Sequence, residues 1–272
     1  MRIPLLYCGN KSVFGGMVIS LLSITKHCKE PLDVFLMTMD LREIDPVYLP
    51  ISEEQRVYLE TICYLANSES RVTLLECGDL YRESLLNSPG QENRYTPYTF
   101  LRLYADRFPQ IPDKLIYLDT DTVAVGNVSE LYRQELDGAE LGGIRDYYGC
   151  HFFGVNYFNA GVLLLDLAKI RETGLFRRSL ELCATKKLFL NDQSALNRLV
   201  KQKKILPRKF NEQKKIREDT VIRHFSMTIR WIPFRTRNIK PWNVDEVRNV
   251  LHVTEIDDIL NDYLTRKPGF PD

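Results

Sequence analysis

Two aspartates, Asp119 and Asp121, stand two residues apart directly after the apolar run at positions 115–118. Such a run is typical of a buried strand, and carboxylates at its end need a counter-charge because an unpaired buried charge is costly. A divalent cation would provide one, since hard cations prefer oxygen ligands, and open α/β sheets bind ligands at the carboxyl ends of their strands. A strand that simply ends in a polar turn is the alternative interpretation. The Asp-x-Asp spacing therefore favours a metal-nucleotide site but does not establish one.

Small and amide side chains follow the first apolar segment, where Gly9 separates Cys8 from Asn10. Small residues would let a planar base approach the backbone, and the Asn10 amide can hydrogen-bond to a base edge. An ordinary strand-to-loop turn is the alternative. Further on, Arg102 stands among apolar residues of a helical pattern. Its planar guanidinium needs an acceptor and suits either a phosphate or a structural ion pair.

Two later segments carry groups suited to holding a sugar. Asn159, Ala160 and Gly161 stand at the head of a predicted strand, where one amide and two small residues would let a sugar ring approach the backbone. A plain bend at the glycine is the alternative. Asp192 is a candidate helix N-cap, and Asp192 and Gln193 could also hold a sugar at the start of that helix. These two interpretations of Asp192 are compatible.

Two basic side chains towards the C-terminus complete the set. His224 lies in the segment 221–225, and a single histidine at a strand end is more often structural. With two aspartates proposed as ligands, however, a neutral imidazole is a reasonable third ligand. Lys240 precedes Pro241 and Trp242 and offers a fixed positive charge, although alone it would be interpreted as surface charge.

These side chains must be positioned by an alternation of strands and helices. The predicted strands are residues 3–8, 32–39, 71–77, 114–118, 141–145 and 161–167. The predicted helices are residues 17–27, 52–65 with Ser52 as N-cap, 98–107, 168–185 and 193–201. Such alternation indicates an α/β fold with a largely parallel, doubly wound sheet. After about residue 205 the pattern becomes irregular, aromatic and basic, and no linker is evident, which predicts one domain with a C-terminal extension.

The charge of the 272-residue chain is nearly balanced, at +1, with 44% hydrophobic and 27% charged residues. This composition is that of a soluble globular protein and does not indicate a nucleic-acid partner. Positions 201–240 nevertheless carry thirteen Lys or Arg residues against three Glu or Asp. Such a segment suits phosphates or an anionic membrane surface, and a solvated basic loop is an equal alternative.

The cysteines and the N-terminus bear on the compartment. None of the six cysteines forms a Cys-x-x-Cys pair, which predicts reduced, mostly buried thiols in a cytosolic protein. The N-terminus lacks the apolar core of a signal peptide, and the apolar stretch 15–25 is too short to span a bilayer. We therefore expect a cytoplasmic protein whose basic segment is either a peripheral contact at the inner membrane face or a lid over the site. The sequence does not indicate an oligomeric state.

Taken together, these segments resemble the retaining glycosyltransferases of family 8, of the lipopolysaccharide galactosyl- and glucosyltransferase type. The matching motifs stand in the family's order: Tyr-Leu-Asp-Thr-Asp at 117–121, Tyr-Phe-Asn-Ala-Gly-Val-Leu-Leu at 157–164, Asp-Gln-Ser-Ala-Leu-Asn at 192–197 and Lys-Pro-Trp at 240–242. The resemblance implies the GT-A fold, a Rossmann-like mixed, mostly parallel sheet flanked by helices. Residues 1–242 would form this domain, and residues 243–272 a helical extension packed on it.

The resemblance also implies an activity. It implies metal-dependent transfer of a hexose, glucose or galactose, from a UDP-sugar to a glycan or lipid-linked acceptor in bacterial cell-surface polysaccharide synthesis, with retention of anomeric configuration. The implied metal is Mn²⁺, with Mg²⁺ as the alternative. The implied site residues are Asp119, Asp121 and His224 for the metal, Cys8 and Asn10 along the uridine, Arg102, Asn159, Ala160, Asp192 and Gln193 at the donor sugar or diphosphate, and Lys240 at the departing diphosphate.

The catalytic step that the resemblance implies depends on Gln193. Double displacement needs a carboxylate nucleophile on the ring face opposite the leaving group, and the resemblance places Gln193, an amide, near that face. We therefore favour same-face attack by the acceptor hydroxyl, assisted by the departing phosphate. Asp192 is the nearest alternative nucleophile.

The chain departs from the family in one motif. The family's pattern is His-x-x-Gly-x-x-Lys-Pro-Trp, whereas His224 and Lys240 are sixteen residues apart and Met227 stands at the glycine position. Arg230 has the family's lysine spacing. Either Lys240 returns to the diphosphate through a longer loop, or Arg230 takes its place.

Two other functions fit parts of the sequence. The segment 118–123 also fits the first motif of haloacid-dehalogenase phosphatases, with Asp257 and Asp258 as a later acidic pair. That motif usually opens its fold, whereas here a long segment precedes it. A non-catalytic module that binds a sugar nucleotide is the second alternative, and turnover would distinguish it from an enzyme.

Overall fold

The computed structural model describes residues 1–91, 95–231 and 234–266. Its strands are β1 (Ile3–Cys8), β2 (Leu32–Thr38), β3 (Arg71–Glu76), β4 (Lys114–Leu118), β5 (Thr122–Ala124), β6 (Leu141–Arg145), β7 (Phe158–Asp166), β8 (Lys203–Ile205), β9 (Ile222–His224), β10 (Thr228–Trp231) and β11 (Phe234–Arg237). Its helices are α1 (Phe14–His27), α2 (Glu53–Ala66), α3 (Gly78–Ser84), α4 (Ser129–Tyr132), α5 (Gly149–Phe153), α6 (Leu167–Thr173), α7 (Leu175–Thr185), α8 (Asn191–Leu199), α9 (Val244–Asn249) and α10 (Asp257–Arg266). Segments Lys11–Val13, Pro97–Arg107 and Arg208–Phe210 are 3₁₀ helices.

The central sheet of the described residues has the strand order β3-β2-β1-β4-β7-β6-β8. Its parallel pairs are β1–β2, β2–β3, β1–β4 and β6–β8, whereas β7 runs antiparallel to both β4 and β6. The sheet is therefore mixed and mostly parallel, and the predicted fold class is confirmed. Because β1 and β4 are parallel neighbours, the loops that follow them leave the sheet at the same edge.

Both faces of the sheet are covered by apolar layers. Side chains of β1 alternate between them: Leu5 belongs to one core with Ile19 of α1, and Leu6 belongs to the other with Leu101 and Leu163. Every residue of β1 is buried, as expected for a parallel strand with helices on both sides.

The helix boundaries confirm one of the predicted helix ends and correct two other predictions. Ser52 caps α2, with Gln55 completing a reciprocal capping box, which confirms that prediction. The single helix predicted over 168–185 is wrong, because Gly174 adopts a left-handed conformation with φ +67° and divides it into α6 and α7. The proposal that Asp192 caps its helix is also wrong. The cap position of α8 is Leu190, and Asp192 lies in the first turn.

The C-terminal segment packs on the same core as the N-terminal helix. Ile259, Leu260 and Tyr263 of α10 are buried in the core that contains α1. The basic, aromatic insertion forms the hairpin β10–β11, but the side chain of Arg230 lies outside the part of the chain that the structure describes. The proposed domain boundary at residue 242 stays a prediction.

The six cysteines are free, and five of them are buried. Within the described ranges, no helix has both the length and the apolar character of a membrane span.

Candidate metal and sugar-nucleotide site

Two short strands bring His224 to the aspartates that follow β4. The chain turns after Leu118 through Asp119 and Asp121 into β5, and β5 pairs antiparallel with β9, so that His224 lies opposite Thr122. His224 Nε2 is 3.1 Å from Asp121 Oδ1 and 3.8 Å from Asp119 Oδ2. One ligand atom from each of Asp119, Asp121 and His224 lies within 4.8 Å of the others. Two segments that are about a hundred residues apart in sequence thus converge on one point.

Gly161 makes room for this cluster. Its carbonyl accepts a hydrogen bond of 2.8 Å from the backbone N–H of Asp119, which fixes the first aspartate against β7. A Cβ atom at position 161 would lie 2.2 Å from His224 Cε1 and 2.8 Å from Asp119 Oδ2. Only glycine fits the space between the two ligand groups, so the Asn-Ala-Gly motif serves the acidic cluster as well as the proposed sugar side.

The other face of His224 is held by a chain of side-chain amides. Asn211 Oδ1 lies 3.1 Å from His224 Nδ1, and Asn211 Nδ2 donates to Asn159 Oδ1 at 3.0 Å. Asn159 Nδ2 in turn donates to Asp146 Oδ2 at 3.0 Å. Because Asn211 Oδ1 can only accept, it favours the tautomer with a proton on Nδ1 and a lone pair on Nε2, the atom that faces the aspartates.

Lys240 reaches the cluster in spite of its unusual distance in sequence. Its Nζ lies 2.5 Å from Asp121 Oδ2 and 3.3 Å from the carbonyl oxygen of Phe225. Burial alone would raise the pKa of Asp121, but the nearby charge of Lys240 and the imidazole of His224 outweigh it and hold that pKa well below its ordinary value. Asp121 is therefore ionised at neutral pH and available as a ligand.

Arg102 joins the acidic cluster to the sugar-binding candidates. Its Nη2 lies 3.2 Å from Asp119 Oδ1, and its Nε lies 3.0 Å from Asp192 Oδ2. The guanidinium also donates to the carbonyl of Ala160 and stacks 4.1 Å from the centroid of the Tyr117 ring. Arg102 is buried, so in this structure it acts as an internal counter-charge for two carboxylates.

One carboxylate oxygen of Asp192 lacks an aligned hydrogen-bond donor among the described residues. Its Oδ2 is buried and, within the described residues, accepts no well-aligned hydrogen bond, since Arg102 Nε is directed at the carbonyl of Thr99. Burial raises the pKa of Asp192 to about 6, although the charge of Arg102 acts in the opposite direction. The oxygen is paired in charge with Arg102, but it lacks an aligned donor, which a hydroxyl group of a bound ligand would supply.

Gln193 is fixed by three protein groups. Its Oε1 accepts from the backbone N–H of Ala160 at 3.0 Å and faces Asn159 Nδ2 at 3.4 Å. Its Nε2 donates to Asp146 Oδ2 at 3.1 Å. The orientation of the amide is therefore set before any ligand binds.

Cys8 and Asn10 lie at the same edge of the sheet, after β1. Both are buried, and burial raises the pKa of the Cys8 thiol well above its usual value. Asn10 Nδ2 donates to the carbonyl of Val47 at 3.5 Å. A Cβ atom on Gly9 would lie 3.7 Å from Thr120 Cγ2, so the loop after β1 lies next to the Asp-x-Asp loop.

Two residues of this network were missed by the sequence reasoning. Asp146 follows β6, and a rule that searches for carboxylates after every predicted strand would have found it. Asn211 stands in a polar run with no periodicity or motif, so nothing in the sequence indicated it. Asp257 and Asp258, the later acidic pair of the phosphatase alternative, do not join the cluster of Asp119, Asp121 and His224. They begin α10 and pair with Arg248 and Lys26.

A GT-A-like sheet with an acidic cluster and a histidine beyond the end of β4 is the arrangement expected of a glycosyltransferase. The family model described as glycosyl transferase family 8 matches residues 4–246. The chain belongs to that family, which confirms the resemblance of its motifs and removes the phosphatase alternative.

Relatives differ in how much of their length the chain covers. The chain is 35% identical over 106 residues, 38% of its length, to the glycosyltransferase GlyA of Streptococcus pneumoniae, but spans only 15% of GlyA. It is 25% identical over 288 aligned positions to a lipopolysaccharide 1,2-glucosyltransferase of Escherichia coli, covering 88% of this chain and 75% of that one. Among solved structures it is similar to the galactosyltransferase LgtC in complex with donor and acceptor sugar analogs, with a TM-score of 0.68, 16% identity and 96% coverage of both chains.

Proposed function

We propose that the chain transfers a hexose, glucose or galactose, from a UDP-sugar to a glycan or glycolipid acceptor, with a divalent cation and with retention of anomeric configuration. The proposed metal is Mn²⁺, with Mg²⁺ as the alternative. The observation that carries the proposal is the convergence of Asp119, Asp121 and His224 at the end of β4, with ligand atoms within 4.8 Å of one another.

The donor set of this cluster fits such an ion. Two carboxylates and one imidazole suit Mn²⁺ or a similar divalent cation, and Gly161 leaves the space that a side chain would fill. When bound, the ion would act as a Lewis acid that neutralises the diphosphate of the donor. Asp119, Asp121 and His224 would hold it, and Asn211 would keep the imidazole in the orientation that ligation requires.

Lys240 adds fixed positive charge beside the metal ligands. Its Nζ, at 2.5 Å from Asp121, lies beside the proposed diphosphate site, where negative charge would develop on the leaving group. A preorganised cation in this position stabilises the transition state more than the ground state. This supports Lys240, rather than Arg230, as the residue at the departing diphosphate.

The proposed sugar side is formed by Asp192, Gln193 and the Asn-Ala backbone. The buried Oδ2 of Asp192 would accept a hydroxyl of the donor hexose, and Arg102 would keep that carboxylate in place. Gln193 cannot form the covalent ester of a double displacement as a carboxylate would, and its Oε1 is already engaged. The arrangement therefore favours attack by the acceptor hydroxyl on the face from which the diphosphate leaves, with Asp192 as the alternative nucleophile.

Uridine would bind along the loop after β1. Cys8 and Asn10 flank Gly9 there, and the loop adjoins the Asp-x-Asp turn. A base seated on this loop would present its diphosphate to the metal cluster. The non-catalytic module is the remaining alternative, since it would need the same binding groups but no turnover.

The test is release of UDP from UDP-glucose, UDP-galactose and their N-acetyl analogues, with Mn²⁺ and with a chelator. We expect Mn²⁺-dependent UDP release from one donor, lost in Asp121→Asn, which keeps the size of the side chain but removes its charge. Asp137→Asn, on an exposed loop, is the matched control and should retain the parental rate. Mn²⁺-dependent donor binding in calorimetry without turnover would support the non-catalytic module, and absence of both would exclude the proposal.

A further inference from the structure

Exposed aromatic and aliphatic side chains cluster beside the proposed sugar site. Phe152, Phe153, Val155 and Phe189 are between 52% and 72% exposed. The rings of Phe153 and Phe189 have centroids 6.2 Å apart, so the two chain segments form one patch. Contiguous exposed apolar surface of this kind marks an interaction site more often than single exposed side chains do.

Basic residues surround this patch. We define the aromatic–basic surface as segments 147–157, 184–190 and 213–217, which together carry five Lys or Arg residues and no Asp or Glu. The third segment is joined to the first, because Tyr147 N–H donates to Gln213 Oε1 at 2.9 Å and Lys214 Nζ lies 3.7 Å from the centroid of the Tyr147 ring. The three segments therefore form one continuous face.

Much of the remaining positive charge of the basic segment is neutralised within the fold. Lys204 pairs with Asp137 at 2.5 Å, Lys209 with Glu130 at 2.7 Å, and Arg208 with Asp219 at 2.6 Å. Lys186, Lys187, Lys214 and Lys215 of the aromatic–basic surface are instead exposed. The aromatic–basic surface thus carries four exposed lysines beside the exposed phenylalanines.

We propose that the aromatic–basic surface docks the protein onto an anionic lipid bilayer. Phenylalanines that enter the boundary between head groups and acyl chains, together with lysines at head-group level, are the combination that binds peripheral proteins to such surfaces. The complementary charge of anionic lipids favours a bilayer over a neutral saccharide or a second copy of this equally basic face.

Docking there would present the sugar site to a lipid-linked acceptor. Tyr157 ends the first segment two residues before Asn159, and its hydroxyl lies 3.4 Å from Ser194 Oγ in the first turn of α8. Asp146, which holds Asn159 and Gln193, directly precedes the same segment. The use of this contact by the enzyme rests on the proposed function, but the contact itself does not.

The test measures sedimentation of the full chain with vesicles, without donor or metal. One set of vesicles is phosphatidylcholine alone, and the other is phosphatidylcholine mixed with phosphatidylglycerol. We expect binding to the anionic set only. Lys187→Ser with Lys215→Ser should weaken it about fivefold for each lysine, and Phe152→Ser with Phe189→Ser should weaken it at least about tenfold.

The control pair is Tyr64→Ser with Leu65→Ser, which removes side chains that are 56% and 69% exposed at the end of α2. It should bind vesicles as the parent does. Donor hydrolysis in solution should be the same in all variants, so failure of docking and failure of the proposed function give different results. No binding by the parent chain, or equal binding by the phenylalanine variant, would overturn the proposal. So would a parental dimer that this variant dissociates in light scattering, which would assign the face to a second copy of the chain.

Discussion

At the scale of single residues, the imidazole of His224 is oriented by a side chain that would not itself contact a metal ion. Asn211 is buried and bridges His224 to Asn159 with contacts of 3.1 and 3.0 Å. Such outer partners fix the ring and its tautomer, and their loss typically lowers metal affinity about 10–100-fold. The amide therefore joins the proposed metal side of the site to the proposed sugar side.

We accordingly expect Asn211→Ala to lower Mn²⁺ affinity by about 10-fold or more while the chain stays folded. Asn211→Asp keeps an acceptor for His224 Nδ1 and should lose less affinity. Calorimetric titration with Mn²⁺ measures both, and circular dichroism reports whether each variant is folded. Parental affinity in Asn211→Ala would show that His224 is oriented by other contacts.

Which site residues could be predicted depended on where they lie relative to strand ends. Asp119 and Asp121 were predictable because a buried apolar strand precedes them, and the same rule would have given Asp146. His224 was only a candidate, since its approach to the aspartates depends on the pairing of β5 with β9, which is a long-range contact. Asn211 could not be predicted, because a lone amide acquires its role only from its neighbours in the folded chain.

At the scale of elements, α1 packs closely against the Asp-x-Asp loop at a glycine inside the helix, Gly16. The sequence pattern placed Gly15 and Gly16 before the helix, but α1 begins at Phe14 and includes both. A Cβ atom on Gly16 would lie 2.4 Å from the carbonyl oxygen of Thr120 and 2.5 Å from Trp242 Cζ3. Close packing against the backbone between the two aspartates, rather than helix breaking, explains this glycine. Periodicity could not reveal it, since Gly is disfavoured inside helices.

Gly16→Ala should therefore destabilise the fold by about 1–3 kcal/mol, the usual cost of overpacking, and should weaken Mn²⁺ binding by displacing the loop. Gly15→Ala is the matched control, because its Cβ would meet side-chain atoms, the hydroxyl of Tyr263 at 2.7 Å and Trp242 Cβ at 3.5 Å, rather than a backbone carbonyl. In Gly15→Ala, the higher helix propensity of alanine would offset the cost of this contact by about 1 kcal/mol. Urea unfolding of both variants measures the difference, and equal destabilisation would show that the contact with Thr120 does not limit packing.

At the scale of the whole molecule, the sheet edge gathers opposite charges that the chain keeps far apart in sequence. Arg102 is buried between Asp119 and Asp192, and Lys240 lies against Asp121. These long-range ion pairs could not be predicted from the net charge of the chain, which is only +1. The fold class could be predicted from the sequence, because the alternation of strands and helices is encoded in local patterns. The position of each charge could not, because the pairs join segments that only the folded chain brings together, such as Lys240 and Asp121.

One of these carboxyls should make stability depend on pH. Burial raises the pKa of Asp192 to about 6, whereas an unfolded chain would release that proton near about pH 3.9. Between these values the folded state holds a proton that the unfolded state has lost, so the contribution of Asp192 to the free energy of unfolding falls as pH rises. The full difference in the free energy of unfolding is about 3 kcal/mol, reached above about pH 6.

In Asp192→Asn this contribution is absent, so the stability of the variant relative to the parent should increase from pH 4 to pH 7. Urea unfolding in the presence of a chelator, at several pH values, measures that relative stability. Parallel pH profiles of the two proteins would mean that Arg102 keeps Asp192 ionised throughout, and that the pair is held together by charge rather than by a shared proton.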